Sequence, residues 1–306
     1  MRGFLHVVLE INGKKLSLGM DENGIKQPFG ITKITGLGAS EYQVATSDNA
    51  LVDGSTVNGK RILKRPISIT ASSRDLDNCG MMREQLIAFF NPKYTGKLTV
   101  NRNGKQRNIE FEIEGFVPDE ETTIDSEVGF TVDLTCPNPY FKNVDNFGQN
   151  MADKTRLFAF PWRITKQVYS GVPSPYKYFG KGKMGMAYRT LKTEVSLTND
   201  GDVETSVIIQ FIAARGRVVN PCITDKATGK FMRIKVEMKE GDVLEIDTDD
   251  HHQIIELNGV NTYQKIDKRS EPFKLAKGEN YLIYNADVDY TNLDVKLYYT
   301  PLYLGV

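Results

Sequence analysis

The sequence contains few residues of the types that build catalytic and metal sites. Its 306 residues include three cysteines, three histidines and one tryptophan. Cys79, Cys136 and Cys222 are far apart and odd in number, which argues against a disulfide framework and against a structural zinc site. We expect them to be buried thiols.

An excess of charge of one sign is also missing. Lys and Arg total 39, and Asp and Glu also total 39, so the formal net charge is zero. Proteins that bind nucleic acid through its phosphates need a basic surface to displace counterions, and no such surface is predicted here. Specific binding of nucleic acid is therefore not expected.

Long hydrophobic runs are absent as well. No stretch of about eighteen apolar residues occurs, so the sequence predicts no transmembrane helix and no membrane partner. The first residues, MRGFLHVVLEINGKK, lack the basic start, long apolar run and cleavage site of an export signal. The chain is therefore expected to be made in a cytoplasm, and its length favours two domains.

What the sequence does contain is alternation of apolar and polar residues, which predicts β-strands. Residues 4–11 and 14–18 meet at Asn12-Gly13, and a second pair, Asn103-Gly104, joins two further predicted strands. One stretch differs, because its apolar residues follow a helical spacing: Met82, Leu86, Phe89 and Phe90. This spacing predicts a single amphipathic helix over about residues 75–90.

The regular alternation of apolar and polar residues is not sustained after about residue 144. We predict an N-terminal domain over 1–144 and a C-terminal domain over 145–306. Residues 158–190 are rich in Gly, Pro and aromatics and are predicted to be irregular. Turn signals then recur at short intervals, which is typical of an all-β sandwich or barrel. The predicted fold class is therefore mainly β.

One dense cluster has the residue types of a metal site, DTDDHHQ at residues 247–253. It lies between two predicted strands, where the connection of a hairpin is polar in any case. His251 and His252 are adjacent, so in extended chain they point to opposite sides, and the residue pattern of a calcium loop is missing. The stretch is predicted to be a solvated hairpin connection without a metal.

The evidence for catalysis is equally weak. Asp119, Glu120, Glu121 and Asp125 could suggest the paired carboxylates of a glycosidase, but sequence does not fix their separation. No G-x-S-x-G motif occurs, and His6 lies in an apolar strand, where a satisfied structural imidazole is expected. We predict no catalytic residue, no cofactor and no enzyme. An enzyme that acts on cell-wall polymers through either acidic cluster stays open as an alternative.

Aromatic residues suggest a site of another kind. Trp162, Tyr176 and Tyr178 lie in the Gly- and Pro-rich segment, where some side chains should be exposed. Tyr and Trp are favoured at protein interfaces and on surfaces that stack against sugars. These three are the predicted interaction residues, and packing in a core is the alternative.

Several short motifs follow one another in a specific order. They are GLG at 36–38, CPNPYF at 136–141, GDVLEIDT at 241–248 and YYTPLYLGV at 298–306. Each is weak alone, but in this order and spacing they resemble the distal tail protein (Dit-like) family of bacteriophages and phage-tail-like particles. The resemblance extends over nearly the whole chain.

This resemblance implies a fold and a function. It implies an N-terminal split β-barrel with one helix, which closes with its copies into a hexameric ring, and a C-terminal galectin-like β-sandwich. The implied function is that of a structural hub in the virion tail tip. The implied partners are copies of the chain itself, the tail tube protein, and the tail-tip and receptor-binding proteins.

The galectin-like label is a statement about fold and does not imply sugar binding. An alternative function is nevertheless a carbohydrate-binding β-sandwich protein that contacts the host cell wall through Trp162, Tyr176 or Tyr178.

Overall fold

The computed structural model describes residues 4–48, 53–73, 79–119, 127–144, 147–150, 153–156, 187–190, 193–250 and 252–306. Over these ranges the protein is mainly β, with a single α-helix, as the sequence predicts. None of the helices in these ranges is long and apolar enough to span a membrane.

The helix α1 covers Cys79–Phe89, and two short 3-10 helices cover Tyr263–Lys265 and Tyr290–Asn292. In chain order the strands are β1 (Leu5–Ile11), β2 (Lys14–Gly19), β3 (Phe29–Thr35), β4 (Tyr42–Asp48), β5 (Ser55–Ile62), β6 (Arg65–Ser73), β7 (Gly96–Arg102), β8 (Lys105–Pro118), β9 (Gly129–Cys136), β10 (Phe141–Asn143), β11 (Phe147–Asn150), β12 (Asp153–Arg156), β13 (Ala187–Thr190), β14 (Glu194–Asn199), β15 (Val207–Ala213), β16 (Val218–Asp225), β17 (Phe231–Arg233), β18 (Glu237–Met238), β19 (Val243–Asp247), β20 (Ile254–Leu257), β21 (Val260–Asn261), β22 (Gly278–Val288), β23 (Leu293–Tyr299) and β24 (Leu302–Tyr303).

The chain forms two compact units, and the first consists of Met1–Asn146, Asp200–Thr205 and Thr300–Val306. Its strands pair in the order β8-β7-β1-β2-β3-β6-β9, and β9 pairs back with β8. Seven strands therefore close a barrel. Closure leaves no free sheet edge around the barrel, because every strand in it has a partner on both sides.

Alternate residues of the strands fill the barrel interior, as the pleat of a strand requires. In β1 these residues are Val7, Leu9 and Ile11, which are all buried. Phe90, directly after α1, stacks on Phe116 with 4.7 Å between ring centroids. The helix therefore covers the barrel with an aromatic contact on its inner side.

The predicted turns of the first unit are confirmed. Asn12 and Gly13 have φ values of 49° and 74°, and Asn103 and Gly104 have 54° and 84°. Positive φ at both central residues is the requirement of the tight hairpin turn that Asn-Gly favours. The predicted helix is also confirmed over Cys79–Phe89, and residues 75–78 of the predicted range lie outside the described residues.

The end of the chain returns to the first unit. β24 pairs with β10 through Phe141 and Tyr303, and β10 in turn pairs with β8. The final residues therefore extend the sheet that β8 contributes to the barrel.

The second unit consists of Phe147–Asn199 and Ser206–Tyr299. One sheet has the order β11-β23-β15-β19-β20-β21, and a second has the order β14-β22-β16-β17, with β18 also paired to β16. Phe211 and Val295 of the first sheet share a buried core with Ile223 and Tyr284 of the second. The unit is a two-sheet β-sandwich, which confirms the predicted fold class. The limits 1–144 and 145–306 stay a prediction of domain organisation.

Candidate interaction surfaces

The stretch 247–253 connects two antiparallel strands, as predicted. Asp247 at the end of β19 pairs with Ile254 at the start of β20. Thr248 is buried, and its hydroxyl accepts a hydrogen bond from the Val207 N–H at 2.9 Å. The Asp249 N–H donates to the Asp247 Oδ1 at 3.0 Å. These bonds fasten the turn to the neighbouring strand.

The described carboxylates of this connection interact with groups of the turn and with side chains next to it. Burial raises the pKa of the Asp247 carboxyl, and Asp250 forms an ion pair with Lys274. Across the described residues, which include His252 but not His251, no three His, Cys, Asp or Glu side chains are grouped to hold a metal ion. The observed contacts are those of a hairpin connection.

The second acidic stretch is described only at its first residue. The Asp119 N–H donates to the Gly129 carbonyl at 2.9 Å, and a side chain at position 129 would collide with the Asp119 carboxylate. This carboxylate therefore occupies space that a glycine leaves free. The other predicted site residues lie outside the described residues, and their roles stay predictions: Glu120, Glu121, Asp125, Trp162, Tyr176 and Tyr178.

Two predictions for single side chains need correction. Cys136 is buried, and burial raises the pKa of its thiol to about 12, but Cys222 is only half-buried. The alternation of β16 directs Pro221 and Ile223 inward and leaves Cys222 on the outer face. His6 is not the satisfied imidazole that the sequence suggested, because its Nε2 is buried without a hydrogen-bond partner.

A buried arginine joins three distant segments of the first unit. Arg65, at the start of β6, has 1% of its surface exposed. Its Nε donates to the Pro139 carbonyl at 2.8 Å, and its Nη2 donates to the Leu304 carbonyl at 2.6 Å. Its Nη1 donates to the carbonyls of Gly36 and Gly38 at 2.7 and 2.5 Å. The guanidinium thus brings together GLG, CPNPYF and the C-terminal motif.

Further contacts hold the C-terminal segment in the same place. The Arg65 guanidinium lies 4.8 Å from the Phe141 ring centroid, and the Arg107 guanidinium lies 3.6 Å from that of Tyr303. Arg107 also donates to the Gly305 carbonyl, and the Val306 N–H donates to the Leu37 carbonyl at 3.0 Å. The last residues are therefore an integral part of the first unit.

A two-stranded ribbon of the first unit is exposed to solvent at nearly all of its residues, in contrast to the buried surroundings of Arg65. It consists of β4 and β5, which pair with each other and with no other described strand. All residues of β4 and all of β5 except Ile62 are exposed. We call this ribbon the arm.

The arm has one apolar and one polar face. Cross-strand pairs point to the same face, and the pairs Tyr42–Ile62, Val44–Lys60 and Thr46–Val57 alternate with pairs such as Gln43–Arg61. On the first face Tyr42, Val44 and Val57 are 59%, 50% and 52% exposed. On the other face the Arg61 Nε donates to the Gln43 side chain at 2.7 Å. Sequence reasoning missed this face, because the alternation around Tyr42 and Val44 indicates a strand but not that both of its faces are exposed.

Helix α1 also exposes apolar side chains. Met82 and Leu86 pack into the barrel core, while Met81 and Ile87 are 62% and 52% exposed. Ala88 and Glu84 are exposed between them. The outer face of α1 therefore carries two large apolar side chains, Met81 and Ile87, together with the polar Glu84 and Gln85.

A buried carboxylate in the second unit predicts a response to acid. Asp267 accepts the Arg269 N–H at 3.0 Å and forms an ion pair with Lys235 at 3.2 Å. These contacts, the backbone bond first, lower the pKa of Asp267. A lowered pKa in the folded state adds stability above the unfolded value, about 3.9, and this stability is lost as the pH falls through the folded value.

We therefore expect the thermal midpoint of the protein to fall as the pH drops below about 4. The Asp267→Asn variant should be less stable than wild type at pH 7 and should lose less of its stability in acid. Thermal unfolding followed by circular dichroism at several pH values measures both effects. Glu271→Gln, at an exposed carboxylate, is the matched control, and an equal loss in the two variants would contradict the assignment.

Part of the chain matches a known family model. Residues 200–303 match the model of the SPP1 Dit family, described as a siphovirus-type tail component, C-terminal domain. No curated protein matches the chain.

Among solved structures, the chain is similar to the crystal structure of SPP1 Dit, described as a paradigm of the hub adsorption apparatus in phages that infect Gram-positive bacteria. The TM-score is 0.64 at 11% identity, over 97% of this chain and 98% of that one. Two structures of the phage p2 baseplate in its activated conformation, with Ca and with Sr, each match over 98% of both chains at 10% identity, with TM-scores of 0.49 and 0.47.

The family model and the SPP1 Dit structure address different properties of the chain, its sequence and its fold. The model addresses residues 200–303, about a third of the sequence, and the structural likeness addresses the fold of nearly the whole chain. Residues 200–303 therefore match a siphovirus-type tail component C-terminal domain, and the chain has the fold of SPP1 Dit along nearly its full length.

Proposed function

We propose that the protein is the structural hub of a phage tail tip, in which a hexameric ring joins the tail tube to the tail-tip and receptor-binding proteins. The observation that carries this proposal is the arm, whose apolar face is uncovered in the single chain. A two-stranded ribbon alone is at most marginally stable in water, so a surface of this kind is a contact surface.

The closed barrel supports self-association through the arm. Because each barrel strand already has two partners, the barrel offers no open edge on which another chain could add a strand. Association is then left to features outside the barrel: open strand edges lie on β24 and on the arm, and exposed apolar side chains lie on the arm and on α1. Two different surfaces on one subunit form a head-to-tail contact, and such contacts close into rings when the rotation permits.

The placement of the former catalytic candidates agrees with a structural role. Asp247 holds the turn after β19, and Asp119 fills the space beside a glycine. The hexameric number and the identity of the neighbouring tail proteins rest on the family resemblance. We therefore assign the function to interfaces and place the protein in the virion tail, after assembly in the bacterial host.

The joining role is tested by mixing the purified protein with isolated tail tubes and imaging the mixture by negative stain. We expect a ring at one end of each tube, absent from tubes imaged alone, because the hub contacts one end of the tube and the tip proteins. Binding along the sides of the tubes, or no binding, would contradict the proposed role.

A further inference from the structure

We propose that the apolar face of the arm of one copy packs on the outward face of α1 of the next copy. This inference rests on the proposed self-association and names the surfaces that carry it. The outward face of α1 includes Met81, Glu84, Gln85, Ile87 and Ala88, which are all exposed. The apolar face of the arm consists of Tyr42, Val44, Thr46, Val57, Lys60 and Ile62.

Each of the two faces groups exposed large apolar side chains, and Ile25 and Val117 are the other large apolar side chains in the described part of the first unit that are at least half exposed. Each has side chains that are at least half exposed: Tyr42, Val44, Val57, Met81 and Ile87. Burying such side chains favours association, because it removes apolar surface from water. A contact between the two faces therefore removes both uncovered surfaces from water at once.

The dimensions of the two faces agree. The apolar face of the arm extends over four residue steps, from Tyr42 to Thr46, which is about 13 Å in a strand. The outward face of α1 extends over seven steps, from Met81 to Ala88, which is about 10 Å in a helix. One helix can thus be covered along its exposed length by one arm.

The charges on the two faces are complementary. Lys60 lies on the arm beside Val44, as its cross-strand partner, and it is the charged residue of the apolar face. Glu84 is the exposed acidic residue between Met81 and Ile87 on α1. Opposite charges at the centre of a contact favour the correct pairing and orientation of two surfaces.

Two modes of self-association are distinguished by whether the two contacting surfaces are alike or different. If arms packed on arms, the contact would be the same on both copies, and association would end at a dimer. A ribbon against a helix is a contact between unlike surfaces, so each copy keeps one free surface for the next. The arm-to-helix contact is therefore the mode that can form a ring.

Two variants with one blocked face each provide the test. Val44→Glu with Val57→Glu blocks the arm, and Met81→Glu with Ile87→Glu blocks the helix. Each variant alone should be monomeric in native mass spectrometry. Their mixture should form a one-to-one pair and no larger ring, because only one arm and one helix face are intact. Circular dichroism checks that both variants are folded, as expected for exposed positions.

A charge exchange in the full protein gives a second readout. Lys60→Glu and Glu84→Lys should each lower the fraction of ring at least several-fold, and the double variant should restore it. If the blocked variants still form rings, or if the double variant is no better than the single ones while wild type forms rings, the arm-to-helix contact is wrong and the proposed hub function stands. If wild type forms no ring, either alone or on tail tubes, the proposed hub function is contradicted, and not only the arm-to-helix contact.

Discussion

Replacement of Arg65 by Ala is expected to lower the free energy of unfolding by about 3–5 kcal/mol, because each buried carbonyl left without its donor costs roughly 1–3 kcal/mol. The guanidinium donates to four carbonyls, of Gly36, Gly38, Pro139 and Leu304. In the Ala variant these carbonyls lose their hydrogen bonds to the guanidinium, and a hydrogen bond to a charged group contributes roughly 1.5–3 kcal/mol. Chemical denaturation followed by circular dichroism measures the loss.

Arg61→Ala is the matched control, because Arg61 is exposed on the arm and its side chain bonds only to Gln43 among the hydrogen bonds described. We expect it to change the stability by less than about 0.5 kcal/mol, as surface substitutions usually do. Arg65→Lys should lie between the two, since one ammonium group cannot reproduce the planar fork of the guanidinium. Equal stabilities of Arg65→Ala and Arg61→Ala would refute the role given to Arg65.

The second large effect concerns assembly instead of stability. Val44→Glu with Val57→Glu should reduce the fraction of protein in rings at least tenfold, while leaving the thermal midpoint within a few degrees of wild type. The two side chains are exposed in the single chain, so the fold does not depend on them. A contact that buries them would have to desolvate two new carboxylates, which is strongly unfavourable. Analytical ultracentrifugation measures the ring fraction.

Gln43→Glu with Thr56→Glu is the control for this prediction. It adds the same charge to the same strands, but on the polar face of the arm. Rings should form as in wild type, because the polar face stays in solvent. A loss of rings with both double variants would mean that charge on the arm, and not its apolar face, governs assembly.

Local chemistry explains why parts of the fold could be predicted from sequence. Asn12-Gly13 and Asn103-Gly104 fix tight turns, because both residue types tolerate positive φ at low cost. The helix was predicted because Met82, Leu86 and Phe90 recur at the spacing of one helical face. In each case the information lies within a few residues of the structure that it determines.

The contacts of Arg65 could not be predicted in this way. Its partners at Gly36, Pro139 and Leu304 are 29, 74 and 239 residues away along the chain. Pairing of β24 with β10 likewise joins residues that no local pattern connects. The family resemblance contained these segments as separate motifs, and the structure shows that they meet around one guanidinium.

The candidate surfaces also separate into features that local sequence predicts and features that depend on distant contacts or on strand register. The hairpin at residues 247–253 was predicted because alternating strands surround it. The arm was missed because an alternating ribbon reads as an ordinary half-buried strand pair, and sequence does not reveal that neither face is covered. Cys222 shows the converse, since its place on the outer face depends on the register of β16.

The claim that copies of this chain assemble through their own surfaces is tested most directly by the native mass of the purified protein, measured alone and with tail tubes. The account predicts a species of six chains of 34.5 kDa each, in at least one of the two conditions. Single chains under both conditions, at all concentrations measured, would contradict it.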